Sequence, residues 1–277
     1  KKIVITGANG QVGRALQKVY PQALALDREQ LDITNQKAIN EFNWDNVKVI
    51  INAAAWTDVD GAENPSNYGL VKAVNVDATR YLATAASQHD LTFVTFSSDY
   101  VFDGSQPIHN EDETFSPLNI YGKTKADGDL AAATTIKHYI IRTSWVIGDG
   151  RNFVNIMQDL AARGVKPSVV NDQIGRLTFT DTLARGIKHL LEIGAPYGTY
   201  NLTNEGQPVS WADIAKIVFE KSGKSPSDVQ PVSTAEYFAD KPNTAKRPLQ
   251  STLDLTKIEK TGFIPEDWRD KLDKLLG

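Results

Sequence analysis

Tyr121 and Lys125 stand four residues apart in the run Tyr121-Gly122-Lys123-Thr124-Lys125, a spacing that puts a phenol and an ammonium on one face of a helix. A tyrosine near its ordinary pKa of about 10 is a poor base but a usable proton donor, and a lysine cation beside it stabilises the phenolate left behind. A lysine that also contacts the ribose hydroxyls of a nicotinamide cofactor would both hold the cofactor and tune the acid. The chemistry this suggests is carbonyl reduction, although Tyr and Lys also fall at this spacing by chance on exposed helices. A third group should hold the substrate oxygen. Ser98, with Ser97 as its competitor, follows an apolar run at the expected carboxyl end of a strand, the edge where open α/β sheets bind ligands. Its hydroxyl can donate to an oxygen on which charge grows, or can simply satisfy backbone groups in a turn. Tyr100, close by in sequence, joins Ser98 as a substrate-side candidate.

These groups need a scaffold that brings a cofactor to them. Ile3-Val4-Ile5 reads as a buried strand, and Thr6-Gly7-Ala8-Asn9-Gly10-Gln11-Val12-Gly13 follows it directly before an amphipathic stretch, Arg14 to Val19. That is the strand, turn and helix context of a dinucleotide loop. Gly7 suits a tight turn, Gly10 a close approach to pyrophosphate and Gly13 close helix packing, with Gln11 and Val12 offering N–H groups at the helix start. The spacing is G-x-x-G-x-x-G, so an ordinary glycine turn is the competing reading.

Further apolar runs extend the pattern: Ala23 to Asp27, Val47 to Ala53, Leu91 to Phe96 and Tyr139 to Thr143 as strands, with helices over Asp32 to Phe42 and Val74 to Gln88. The Asp-Ile-Thr at 32 to 34 is a candidate helix cap. The alternation argues for an α/β fold, a doubly wound parallel Rossmann sheet. Asp27 at the end of the second strand could accept from an adenosine ribose, whereas Arg28 could pair with a 2′-phosphate; the two together favour NADPH, with dual use of NADPH and NADH next. Asp32 and Ile33 could flank the adenine.

Beyond residue 150 the pattern loosens. Helices are expected at 153–162, 181–191 and 211–222 and strands at 167–170 and 198–202, forming a smaller α/β substrate-binding domain. The expected division is 1–149 for the NAD(P)-binding domain and 150–277 for the substrate domain, with segments near 179–203 returning to the first.

Composition bounds what else the chain could do. It has 277 residues, a formal net charge of −4 and no cysteine. Thiol catalysis, disulfides and thiolate metal sites are therefore excluded, and no global attraction to nucleic acid or an anionic membrane is expected. No long apolar segment is present, so a soluble cytoplasmic protein is expected. Asp99 and Asp103 read as loop caps, and Asp58, Asp60 and Glu63 as a helix entry or surface turn. The four histidines are scattered without H-E-x-x-H spacing, and no required metal is expected.

Taken together, Asn52-Ala53-Ala54-Ala55-Trp56-Thr57-Asp58-Val59-Asp60, Ser97-Ser98-Asp99-Tyr100-Val101-Phe102-Asp103-Gly104, Ser116 to Lys125, Arg142-Thr143-Ser144-Trp145-Val146, Val170 to Gly175 and Arg247-Pro248 resemble the dTDP-4-dehydrorhamnose reductase family of extended short-chain dehydrogenases/reductases, over essentially the whole chain. The resemblance implies hydride transfer from NADPH or NADH to the C4 ketone of a dTDP-linked 4-keto-6-deoxy sugar, giving dTDP-L-rhamnose for polysaccharide biosynthesis. It places the catalytic hydroxyl, tyrosine and lysine on Ser98, Tyr121 and Lys125, and the cofactor contacts on Gly7, Gly10, Gln11, Val12, Gly13, Ala53, Ala54 and Ala55. It places substrate contacts on Trp145 and Arg247; the Arg247 fork would suit pyrophosphate, and Trp145 would pack against sugar or in the core. Serine stands at 98 where many relatives have threonine. Gly175-Arg176-Leu177-Thr178 replaces the usual Gly-x-Pro-Thr, and Ala126-Asp127-Gly128-Asp129 the usual Leu-Ala-Gly-Glu. A homodimer, a reductase or epimerase of another nucleotide-linked sugar, and a noncatalytic NAD(P)-binding regulatory subunit stay open.

Overall fold

The structure is a computed structural model and describes residues 2–277. The chain runs β1 (Lys2–Thr6), α1 (Gln11–Val19), β2 (Leu24–Leu26), α2 (Gln36–Glu41) and β3 (Val47–Asn52), then α3 (Tyr68–Lys72), a π-helical turn (Ala73–Asp77), α4 (Ala78–Gln88), β4 (Thr92–Ser98), α5 (Ile120–Ala132) and β5 (His138–Thr143). There follow β6 (Val146–Ile147), α6 (Phe153–Ala162), β7 (Ser168–Val170), β8 (Ile174–Gly175), β9 (Thr178–Phe179), α7 (Thr180–Ile193), β10 (Gly198–Asn201), β11 (Val209–Ser210), α8 (Trp211–Lys221), β12 (Gln230–Val232), α9 (Thr234–Phe238), α10 (Thr256–Glu259) and α11 (Trp268–Leu276).

Six parallel strands form the main sheet in the order β10-β5-β4-β3-β1-β2. The apolar runs that announce these strands are buried on both faces, as a parallel sheet demands. Alternate residues divide between two cores: Val4, Ile50, Phe93 and Ile140 pack with Ile39 of α2 and Leu82 of α4. Their chain neighbours Ile5, Ile51, Val94 and Ile141 pack with Leu16 of α1 and Leu183, Ile187 and Leu190 of α7. The strand order reverses between β1 and β3, which opens a crevice at their carboxyl ends.

A third core gathers residues of α6, α8 and α11, among them Val154, Met157, Val218, Phe219, Trp268 and Leu272, into an additional α/β domain. Two-stranded pairings β7 with β12, β8 with β11 and β6 with β9 accompany it. Among the described residues, no helix is long and apolar enough to cross a membrane.

Two local expectations need correction. The helix expected from Asp32 begins at Gln36, because Asn35 caps it by accepting from Ala38 N at 3.2 Å, while Asp32 binds Thr34 Oγ1 at 2.6 Å and closes its own turn. The helix expected from Val74 starts as the π-helical turn. There Asn75 Oδ1 accepts from Trp56 N and Asn75 Nδ2 donates to Thr124 Oγ1, so tertiary partners hold the irregular turn.

Candidate active site

One cavity of about 890 Å³ opens at the carboxyl edge of the sheet, within the size range of a cofactor and substrate site. Its lining includes Gly7, Gly10, Gln11 and Val12, then Asp27, Arg28, Asp32 and Ile33, then Ala53, Ala54 and Ala55. Ser98, Tyr100, Tyr121, Lys125 and Trp145 complete it from the other side. Gly13 and Arg247 are absent from the lining.

The glycine loop is built by backbone constraint. Gly7 has φ +71°, and a Cβ there would sit 2.4 Å from Ala54 N. A Cβ at Gly13 would sit 2.1 Å from Gly7 O, so this glycine supports the site from behind by letting α1 press on the loop. Gly10 is the N-cap of α1 and brings no capping side chain, which leaves the first helical N–H groups without a protein acceptor. Uncapped N–H groups at the end of a helix dipole, beside a cavity of this size, fit the pyrophosphate of a dinucleotide. Asp27 accepts from Glu29 N and Gln30 N at 3.0 and 3.1 Å through one oxygen, and its other oxygen is 3.5 Å from Asn9 Nδ2. Arg28 reaches only to 4.0 Å of Asp32 and is largely exposed.

On the other side, β4 continues two residues further than expected, pairing Ser97 with Arg142 and Ser98 with Thr143. Ser98 Oγ donates to Asp99 Oδ1 at 3.1 Å and accepts from Tyr100 N at 3.0 Å. The helix α5 carries Tyr121 and Lys125 because Asn119 caps it, accepting from Gly122 N at 2.7 Å, and because Glu63 Oε1 accepts from Ile120 N at 2.9 Å. Tyr100 and Tyr121 meet edge to face with centroids 5.8 Å apart. Burial pushes the Tyr121 phenol up to about 12, with Asp99 and Asp129 adding to the rise and the Ser98 hydroxyl opposing it. Tyr121 thus stays protonated across the physiological range. Lys125 is buried and donates to Phe96 O at 2.7 Å; burial lowers its pKa and Asp129 opposes that.

Beyond this lining lie contacts that the sequence does not announce. Arg247 closes its fork on Asp60, with Nη1 to Oδ1 at 2.9 Å and Nη2 to Oδ2 at 3.0 Å, and lies over the Phe238 ring. Burial would raise the Asp60 pKa, but hydrogen bonds from Arg247 and Ala245 N outweigh it and hold the carboxyl below its usual range. Asp60 and Glu63 are therefore long-range ties; only Asp58 acts as a local cap, accepting from Gly61 N. Asp103 caps its loop, accepting from Ser105 N, whereas Asp99 lies buried beneath the site, its pKa pushed up to about 6 by burial. Trp145 adopts φ +49°, an unusual conformation for a bulky residue, and stacks on Trp211 at 3.8 Å between centroids. Trp211 carried no sequence signal beyond opening a helix. Asp129 did: it extends the Tyr121, Lys125 spacing by one more turn. Among the described residues, no three His, Asp or Glu side chains gather where they could hold a metal ion.

Comparison with known proteins agrees with this architecture. The family model for the RmlD substrate binding domain matches residues 1–277. The dTDP-4-dehydrorhamnose reductase of Aggregatibacter actinomycetemcomitans is 40% identical, the match covering 99% of this chain and 98% of that protein. Among solved structures, a dTDP-4-dehydrorhamnose reductase from Clostridium acetobutylicum superimposes with a TM-score of 0.91 at 38% identity, covering 99% of this chain and 98% of that one. The Bacillus anthracis enzyme, solved in complex with NADP, gives 0.90 at 34% identity over the same shares of the two chains. The chain belongs to the dTDP-4-dehydrorhamnose reductase family, within the extended short-chain dehydrogenase/reductase superfamily of Rossmann-fold oxidoreductases.

Proposed function

We propose that this protein reduces the C4 ketone of dTDP-4-dehydro-β-L-rhamnose to dTDP-L-rhamnose with NADPH or NADH, Tyr121 supplying the proton. The observation that carries the reading is the convergence of Ser98, Tyr121 and Lys125 on the cavity whose other wall is the glycine loop. The names of the similar reductases support the substrate, and the NADP complex of the Bacillus anthracis relative supports the cofactor. Gly7, Gly10, Gln11 and Val12 would hold the pyrophosphate, Ala53 to Ala55 would leave room for the cofactor backbone, and Arg28 would favour a 2′-phosphate. The division at 149 and 150, with 179–203 given back to the nucleotide domain, is part of the same proposal; β10 pairing with β5 supports it.

The reduced nicotinamide, when bound, supplies the hydride that forms the new C–H bond at the ketone carbon. Ser98 turns its one hydroxyl proton from Asp99 to the ketone oxygen, donating to it and orienting it. Tyr121 gives its phenolic proton to that oxygen as the C=O π bond breaks, which leaves a phenolate that solvent reprotonates. Lys125 lowers the energy of the phenolate by its charge. Tyr100 and Trp145 close the site around the sugar.

The test is oxidation of NADPH, and separately NADH, by the purified protein with dTDP-4-dehydro-L-rhamnose, with the product identified at completion. Stoichiometric oxidation to dTDP-L-rhamnose is expected; cofactor recycled without net oxidation would point to an epimerase, and cofactor binding without turnover to a regulatory role. Tyr121→Phe should lower kcat about a hundredfold to ten-thousandfold while still binding cofactor. Unchanged turnover in that variant rejects the proton-donor role.

A further inference from the structure

Asp129 lies one helical turn beyond Lys125 on α5 and is almost fully buried, at 4% exposure. One of its oxygens accepts from Ser97 Oγ at 2.6 Å and from Arg142 Nη2 at 3.2 Å. Ser97 and Arg142 are partners in register on β4 and β5, one residue before Ser98 and Thr143, which line the cavity. The carboxylate is thereby fastened to the strand ends that carry the candidate catalytic hydroxyl.

Lys125 faces few charges. On its own helix Tyr121 and Asp129 stand one turn to either side of it, from β4 the Phe96 carbonyl accepts from its ammonium, and Ser97 of β4 and Arg142 of β5 reach the same interior through their bonds to Asp129. Arg142 is itself 2% exposed, so two cations share this interior. An isolated ammonium taken from water sheds its proton unless an opposite charge stands near it. We propose that Asp129 is a positioning residue: fixed by Ser97 and by its ion pair with Arg142, its charge one helical turn from Lys125 keeps that ammonium charged in the cavity. The proposal rests on the reading of Lys125 as part of the reductase site. The balance of effects at the pair agrees with it. Burial pulls the Lys125 pKa down and Asp129 is the charge that opposes this. Burial pushes Asp129 up, opposed by Arg142, by the Ser97 hydroxyl and by Lys125.

The experiment follows the Lys125 side chain by NMR of its 13Cε and 15Nζ across pH, the signal assigned by its loss in Lys125→Met. Asp129→Asn should move the titration midpoint down by about 1 to 3 pH units, the usual influence of a neighbouring opposite charge, and Asp129→Glu should restore most of the shift. The alkaline limb of the kcat profile should move down with it. The midpoint needs no turnover, so it decides the counter-ion role even if the protein proves not to reduce the proposed sugar. An unchanged midpoint in a folded Asp129→Asn protein overturns the proposal. If Asp129→Asn fails to fold because Arg142 is left unpaired, the pair Arg142→Met and Asp129→Asn/Arg142→Met replaces it. There the same downward shift on losing Asp129 supports the role, and equal midpoints reject it.

Discussion

The glycine-loop wall of the cavity and the wall opposite it are made in different ways. The first is backbone: Gly10 N donates to Gly7 O at 3.1 Å within the loop, and Ala8 N to Leu26 O at 3.2 Å and Ala53 N to Thr6 O at 3.0 Å join the ends of neighbouring parallel strands. The second is side chains joined over long stretches of chain. Arg247 holds Asp60 across 187 positions, Glu63 caps Ile120 across 57, and Trp145 stacks on Trp211. The glycine loop of the first wall is one short window of sequence that backbone bonds join to two neighbouring strands, whereas the Arg247 and Trp145 contacts exist only once the chain beyond β5 has folded against the sheet.

If backbone fit makes the first wall, one methyl group should break it. Gly13→Ala puts a carbon 2.1 Å from Gly7 O and 2.9 Å from Ala8 Cα, neither of which is a flexible side-chain end. The helix α1 must back away and carry its free N–H groups with it. NADPH affinity should fall about a thousandfold, roughly 4 kcal/mol, in a calorimetric titration. Gly69→Ala, where an added Cβ meets nothing within 4 Å, should bind like the parent. Wild-type affinity in the Gly13 variant would break the contrast between the walls.

That contrast also explains what could be read before the structure. The strands were legible because buried parallel strands are continuous apolar runs, and the loop because its glycines follow one of them. Tyr121 and Lys125 were legible because helical periodicity alone puts them on one face. Asp99 and Asp103 looked alike four residues apart, yet one is 4% exposed beneath Ser98 and the other caps a surface turn. His109 lies near both, and burial with the return of Ser251 to Asp99 distinguishes them. Asn75 looked like one more helix residue, and its role as a tie between Trp56 and Thr124 depends on partners 19 and 49 positions away. Arg247 suited a phosphate by its chemistry, and nothing local announced that Asp60 takes its fork.

Asp99 sharpens the difference by pH. Its folded pKa is raised from 3.8 to about 6 by burial, so the fold favours its protonated form. Stability from this group is therefore lost as pH rises from about 4 through about 6, and the loss approaches roughly 3 kcal/mol above that window. Asp99→Asn removes the titration while keeping the shape. In urea unfolding the variant should gain on the parent between about pH 4 and pH 6 and hold a constant difference above. A difference that does not change with pH would place the Asp99 charge in water and the second wall nearer the surface than the structure has it.

The smallest effect is expected at Arg247 and Asp60, and it separates a ligand contact from a tie. Were Arg247 a pyrophosphate ligand, Asp60→Asn would loosen the guanidinium and leave substrate KM unchanged or lower, while Arg247→Met would raise it. The closed fork and the Phe238 ring over it argue for a tie that holds residues 245–247 against the turn at 58–61, with Tyr100 beside the guanidinium. On that account both substitutions raise substrate KM alike, about fivefold, and each costs about 1 kcal/mol of stability, because Asp60 is partly solvated and screening limits the pair. The double variant should then be little worse than either single one, since neither leaves a partner behind. NADPH affinity should stay that of the parent in all three, because the two walls are joined through the fold and not through these side chains. A KM raised only by the Arg247 substitution would return the residue to the substrate and move the phosphate-binding end of the cavity to the second wall.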